Sequence, residues 1–189
     1  MGSFEIELSP ETVTQLAEFY SLLTRWNERL HLVAPCAPEE FAVRHVLESL
    51  LLLRYLPSQA TVADIGSGGG LPIIPCLIAR PDLEATLIES SQKKVVFLRE
   101  ASNRLGLRTT IIARPFEEVP APEVSFVTCR ALDQFMQKLP ALLNWAPRGS
   151  KLLLFGGETL GEQLRKSGLE FERFLIPRSE KRYLFLVTD

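Results

Sequence analysis

Cysteine, histidine and long apolar runs are scarce in this sequence. Its three cysteines, Cys36, Cys76 and Cys129, are far apart and odd in number. Such a set suits neither a metal-binding motif nor a disulfide framework, and reads as small hydrophobes in a reducing compartment. Two histidines, His31 and His45, are too few for a His-rich ligand set, so no metal is expected. The stretch Met1-Gly2-Ser3-Phe4-Glu5 lacks the basic region and apolar run of a signal peptide, which points to the cytoplasm. The longest apolar run lies around Leu50–Leu53. A membrane helix needs about 20 such residues, so no membrane association is expected. An excess of one charge is missing too: Lys and Arg total 21 against 23 Asp and Glu, a net charge of −2. A chain-wide field for nucleic acid is thereby excluded, but a local basic patch is not. There is no internal repeat and no low-complexity tract.

The hydrophobic content of 46% suffices for a buried core. Ser9-Pro10-Glu11 is a helix start: Ser9 can cap, Pro10 suits the first turn and Glu11 favours the positive end. Val13, Leu16, Phe19, Leu23, Trp26 and Leu30 follow at helical spacing. A second helix is expected to start after Pro38 and run to about Tyr55, with Phe41, Val46, Leu47, Leu50 and Leu51 inward. Arg44 and Glu48, four apart, are expected to pair. Residues 1–57 read as a helical appendage, and 58–189 as a separate α/β domain. In the latter, strand-like runs at Thr61–Ile65, Ala85–Ile88, Thr109–Ile112, Val124–Thr128 and Lys151–Phe155 alternate with helical stretches. Those stretches lie near Ile73–Ile78, Gln92–Leu105, Asp133–Leu143 and Leu160–Lys166. Alternation of this kind implies a parallel sheet covered on both faces. Glu170–Leu175 and Tyr183–Val187, joined by the polar turn Arg178-Ser179-Glu180-Lys181, suit a terminal hairpin. The strand order stays open.

After the first strand comes Asp64-Ile65-Gly66-Ser67-Gly68-Gly69-Gly70-Leu71-Pro72. Small residues here let the backbone turn sharply and approach a ligand at the carboxyl ends of the strands. A dinucleotide loop carries Gly-x-Gly-x-x-Gly, but Leu71 or Ile73 falls where its third glycine belongs. No Gly-Lys-Ser/Thr follows, which excludes a triphosphate loop. S-adenosylmethionine fits better: Asp64 and the glycines Gly66, Gly68 and Gly70 would hold its cationic amino-acid end. Glu89, 19 residues after Gly70, can accept both ribose hydroxyls. NAD sites use an acid in the same way, so Glu89 alone does not separate the two classes.

Several segments, in order, resemble the bacterial glucose-inhibited-division protein B family of small-subunit ribosomal RNA guanine-N7 methyltransferases. They are Tyr20 to Asn27 (one residue shorter in spacing), Arg44-His45-Val46-Leu47-Glu48-Ser49-Leu50, Asp64 to Pro75, Glu89-Ser90 with Lys93-Lys94, and Thr128-Cys129-Arg130-Ala131. The resemblance implies an α/β fold, a seven-stranded Rossmann-like class I methyltransferase sheet with an N-terminal helical appendage. It implies S-adenosylmethionine as cofactor, held by Gly66, Leu71, Glu89, Pro115, Phe116 and Arg130. Small-subunit ribosomal RNA or a ribosomal particle is the implied partner, and a monomer is the default. Three positions depart from the family. Ile73 replaces a glycine, which an α-helical first turn tolerates. Phe116 stands where an acid is usual, with Glu117 or Glu118 as substitutes. Phe155-Gly156-Gly157 replaces Lys-Gly.

A sulfonium methyl is already activated, and guanine N7 has a lone pair and no proton. Such a transfer needs placement and desolvation rather than a general base. Arg130, His45 and Arg44 are the positioning candidates, with His45 contacting a base or orienting Ser49, and Glu48 fixing Arg44. Phe116 offers an apolar wall to adenine. Asn27 is expected to link backbone groups. Arg44, His45, Lys93 and Lys94 are the RNA-binding candidates, and Arg25, Arg29, Arg99, Arg104 and Arg108 extend that surface. The alternatives are a methyltransferase of the same fold acting on a small molecule or protein, a nonenzymatic binder and, disfavoured by the glycine spacing, an NAD oxidoreductase.

Overall fold

The computed structural model describes residues 4–130 and 134–188. Helix α1 runs Pro10–Leu30, capped by the Ser9 side chain, which accepts the Thr12 N–H. Leu16, Phe19, Leu22 and Leu23 are buried on one stripe, whereas Val13 is 52% exposed. The second helical stretch, α2, is continuous but irregular. It joins Pro38–Phe41, a π turn at Ala42–Leu47, Glu48–Leu50 and a 3-10 turn at Leu51–Arg54. Of the five residues expected inward, Leu47 is only partly buried.

The remaining elements alternate as expected: β1 (Thr61–Ile65), α3 (Ile73–Ala79), β2 (Glu84–Ile88), α4 (Gln92–Arg104), β3 (Thr109–Ile112), β4 (Phe126–Cys129), α5 (Phe135–Trp145), β5 (Lys151–Gly156), α6 (Glu158–Lys166), β6 (Phe171–Leu175) and β7 (Tyr183–Val187). Asp133 and Ala131 lie outside the described residues. The seven strands form one sheet in the order β3-β2-β1-β4-β5-β7-β6. The first five are parallel and β7 enters antiparallel between β5 and β6. Burial on both faces explains why β1 and β4 show no alternation of buried and exposed residues, with even Asp64 and Thr128 enclosed.

Two apolar clusters flank the sheet. The larger joins Leu16, Phe19, Phe41 and Leu52 to Ile73, Leu87 and Phe97. The N-terminal helices therefore complete the core on that face. The smaller packs Val127 and Leu154 against Leu139 and Leu164 of α5 and α6. Chain reversal between β1 and its two neighbours, β2 and β4, opens a crevice at the carboxyl edge, the place where such sheets take ligands. Among the described residues no helix is long and apolar enough to cross a membrane.

Candidate active site

A cavity of about 530 Å³ opens at this edge. One side is backbone: Gly66, Ser67, Gly68, Gly69 and Leu71, with Glu89 and Ser90 at the end of β2. The N–H groups of Gly66 and Ser67 donate to the Ile88 carbonyl at 2.9 and 3.3 Å, docking the loop onto β2. Gly66, Gly68 and Gly70 have φ of 67°, 50° and 74°, a region that favours glycine. A Cβ on Gly70 would meet Ile74 Cδ1 at 2.2 Å. Gly70 is not on the cavity wall; it lets the loop close onto α3. Ile73 opens α3 without positive φ and is fully buried, so the loss of glycine there costs no backbone strain.

Glu89 is 6% exposed, and each of its carboxylate oxygens accepts a backbone N–H. Gly68 donates at 2.9 Å and Ser91 at 2.7 Å. Glu89 thus ties the loop to the start of α4 and retains lone pairs toward the cavity. Asp64 is 1% exposed and does not line the cavity. Both its carboxylate oxygens lack a partner among the described residues. Burial lifts its carboxyl to about 7, with the Glu89 charge adding to the rise and the Ser67 hydroxyl opposing it. Asp64, read from the sequence as holding the amino-acid end directly or through water, sits beneath the loop.

The other side comes from α2 and β4. His45 lines the cavity, its ring tilted on Phe41 at 5.1 Å and its Nδ1 buried without a hydrogen-bond partner among the described residues. Burial, then the charges of Arg130 and Arg44, pull its pKa down to about 4, so the ring is neutral at pH 7. Ser49 donates to the His45 carbonyl rather than to the ring. The π turn has a local consequence. The Glu48 N–H reaches back to Val43, five residues away, instead of to Arg44. The Arg44 carbonyl accepts from the Arg130 guanidinium instead. Arg130 also donates to Ser49 Oγ at 3.2 Å and to Glu48 Oε2 at 3.3 Å, and lies over the Phe155 ring at 5.5 Å. Burial lowers its pKa to about 10, which leaves it charged at neutral pH.

Four expectations move. Glu48 is 1% exposed and pairs with Arg130 and Arg182, while Arg44 pairs with Glu40 at 2.8 Å. The Arg44 side chain points outward, and only its carbonyl meets Arg130. Phe116 is 3% exposed and packs edge-on against Trp145, so it is core rather than wall, and neither it nor Pro115 lines the cavity. Lys94 lines the cavity but Lys93 does not. Arg104 and Arg108 are neutralised by Glu18 and Glu84. As expected, Asn27 links backbone: its side chain donates to the Val33 carbonyl and accepts the Val33 N–H. That clasp shapes Leu32, Val33 and Ala34, which line the cavity and were not foreseen. Gln134, in left-handed conformation, and Lys138, paired with Glu117 at 2.9 Å, were also missed. Glu117 thereby meets the wall through Lys138.

The donor set fits S-adenosylmethionine. An orphaned carboxyl under the loop suits a cationic ligand, a carboxylate with spare lone pairs suits a ribose, and small residues admit a close approach. No group of three or more His, Cys, Asp or Glu side chains is gathered as metal ligands among the described residues.

Known proteins agree with this geometry. Similar solved structures include a SAM-dependent methyltransferase from Aquifex aeolicus, with a TM-score of 0.65 at 14% identity over 88% of this chain and 98% of that one. TYW2 of M. jannaschii in complex with AdoMet has a TM-score of 0.57 at 14% identity over 76% and 73%. At such identities the likeness establishes the fold: a Rossmann-like methyltransferase sheet. Sequence relatives are closer. The ribosomal RNA small subunit methyltransferase G of Gluconobacter oxydans is 40% identical over 74% of this chain and 69% of its own length. That of Halorhodospira halophila is 36% identical over 87% and 78%. Residues 12–186 match the family model described as GidB, rRNA small subunit methyltransferase G, and with the relatives this shows that the chain belongs to that family.

Proposed function

We propose that the chain transfers a methyl group from S-adenosylmethionine to N7 of a guanine in small-subunit (16S) ribosomal RNA. The observation that carries this reading is the cavity at the carboxyl edge, where the glycine loop meets Glu89 above the orphaned Asp64. Family membership supplies the RNA half. The bound cofactor supplies an activated methyl group. The chain's own work is to bind, orient and exclude water, since N7 has no proton to remove. Gly66, Gly68 and Leu71 bound the amino-acid end, Asp64 provides negative charge from beneath, and Glu89 takes the ribose. Arg130 and the neutral His45 position the reactants from the α2 side.

Lys93, Arg25, Arg29 and Arg99 are exposed or partly so, and Lys94 is partly buried. Among the described residues none of the five has an ion-pair partner within reach, unlike Arg44, Arg104 and Arg108. They ride on α1 and α4, where Lys94 lines the cavity and Arg25 and Arg29 line a second hollow with Trp26, and are the phosphate-facing surface in this reading. The helical segment 1–57 and the domain 58–189 then act together, the first shaping the RNA side. The protein works as a cytoplasmic monomer. The decisive assay is labelled-methyl transfer onto small-subunit particles and onto stripped RNA, with mapping of the modified base. Transfer to a guanine N7 is expected. Cofactor binding with no labelled RNA would move the reading to a small-molecule or protein substrate.

A further inference from the structure

We infer that Arg182, in the turn between β6 and β7, is a positioning residue for the methyl transfer, acting through Glu48 to leave Arg130 cationic toward the cavity. The inference rests on the reading that this cavity is the methyl-transfer site. Among the described residues three side chains form the node. Glu48 is 1% exposed, and its Oε2 accepts from Arg182 at 2.7 Å and from Arg130 at 3.3 Å. The carboxylate leans toward Arg182, which takes the stronger share. One negative charge against two positive ones leaves the node at net +1. Of the two arginines, Arg130 lines the cavity.

The turn that carries Arg182 is well held. Its N–H donates to Ser179 Oγ at 3.0 Å, and its carbonyl accepts the Ile176 N–H at 2.9 Å. The β5–β7 register places it beyond Tyr183, opposite Gly156, and so at the carboxyl edge of the parallel strands. Arg130 itself is fixed by the Arg44 carbonyl, Ser49 and the Phe155 ring, so its place does not depend on Glu48 alone. What Glu48 and Arg182 together set is the net charge around it. Without Arg182, Glu48 would pair with Arg130 only, and the pair would be neutral. A net positive group in a partly desolvated pocket attracts an oxyanion. The cofactor carboxylate and an RNA phosphate share that chemistry.

The test is a charge-balance series in the full chain: Arg182→Met, Arg182→Lys and the double variant Arg182→Met with Glu48→Gln. Arg182→Met should weaken oxyanion capture about tenfold, the order expected when a buried charge is neutralised by its neighbour. The loss appears in the Kd for S-adenosylhomocysteine by calorimetry if the anion is the cofactor carboxylate. It appears in KM for small-subunit particles if the anion is a phosphate. Arg182→Lys should recover most of the loss. The double variant returns the node to net +1 and should also recover, because the glutamine amide is neutral yet still accepts a hydrogen bond from Arg130. A merely structural role predicts the reverse, a double variant worse than Arg182→Met alone. That result, or Arg182→Met indistinguishable from the parent in both Kd and KM, overturns the inference. A parent chain that binds the cofactor but labels no RNA would instead sink the substrate reading, and the calorimetric arm would still decide the role of Arg182.

Discussion

The loop at residues 66–71 and the π turn of α2 both line the cavity, and they are held there by different interactions. The loop is fixed by main chain: its N–H groups bond to the Ile88 carbonyl and to Glu89, and its glycines take dihedrals open to few other residues. The π turn is fixed by side chains that come from far away, Arg130 from the end of β4 and Arg182 from the last hairpin, both converging on Glu48. Backbone bonding fails through sterics, whereas an ion network fails through charge. Substitutions can separate the two.

The largest effect is expected at the loop. Gly70→Val should destabilise the fold by about 3 kcal/mol or more, since the new side chain meets the buried Ile74 in a backbone region hostile to β-branched residues. Urea denaturation measures this. Gly68→Ala is the control: its Cβ meets only the Gly66 carbonyl, at 3.6 Å, so stability should fall by about 1 kcal/mol. Equal losses for the two would break the steric account.

Arg130→Ala comes next and bears on the ionic side. Methyl transfer should drop by about a hundredfold or more while the fold is retained, because Glu48 keeps Arg182 as a partner. Unchanged activity would remove Arg130 from the site. Asp64→Asn tests charge beneath the loop. The Asp64 pKa is raised on folding, from 3.8 to about 7. Its contribution to stability is therefore fully present below pH 3.8 and lost as pH rises through 7. Asp64→Asn should raise stability at pH 8 by roughly 4 kcal/mol, given about 1.4 kcal/mol for each pKa unit. It should also flatten the decline of melting temperature with pH. If Asp64 serves a cation, parental cofactor affinity falls as pH drops below 7, and the asparagine variant loses that dependence. A melting curve that keeps its slope in the variant would refute the assignment.

The smallest effect is on the outer surface. Arg29→Ala with Lys93→Ala should leave cofactor affinity unchanged. It should reduce the salt slope of binding to small-subunit RNA by about 1–2, roughly one for each phosphate no longer neutralised. An unaltered slope would return those cations to a solvated helix face.

Much of the site was legible because its signals are local. Runs such as Thr61–Ile65 and Tyr183–Val187 read as strands because their residues suit a pleated, buried surface. The glycine loop declares itself through residue size, and Glu89 through its place at a strand end. Asn27 was read correctly as a backbone link, since its partner Val33 lies only six residues away. Long-range choices were not legible. Arg44 and Glu48 have the spacing of a helical pair, but that rule assumes an exposed carboxylate. Glu48 is buried, and a buried charge goes to whichever cations the tertiary fold brings. The π turn was invisible for the same reason: it exists where the Arg44 carbonyl meets a guanidinium 86 residues away. Phe116 was placed by analogy with an acid, but an aromatic at that position finds Trp145 and turns inward.

The antiparallel entry of β7 between β5 and β6 has a consequence in time as well as in space. A ribosome making this chain delivers the glycine loop, Glu89, His45 and Arg130 long before the turn that carries Arg182. Until that turn is in place, Glu48 faces Arg130 alone and the pocket has no surplus charge. β7 itself seats the buried Leu184, Phe185 and Val187 between β5 and β6, so the strand that completes the sheet arrives together with the residue that completes the charge.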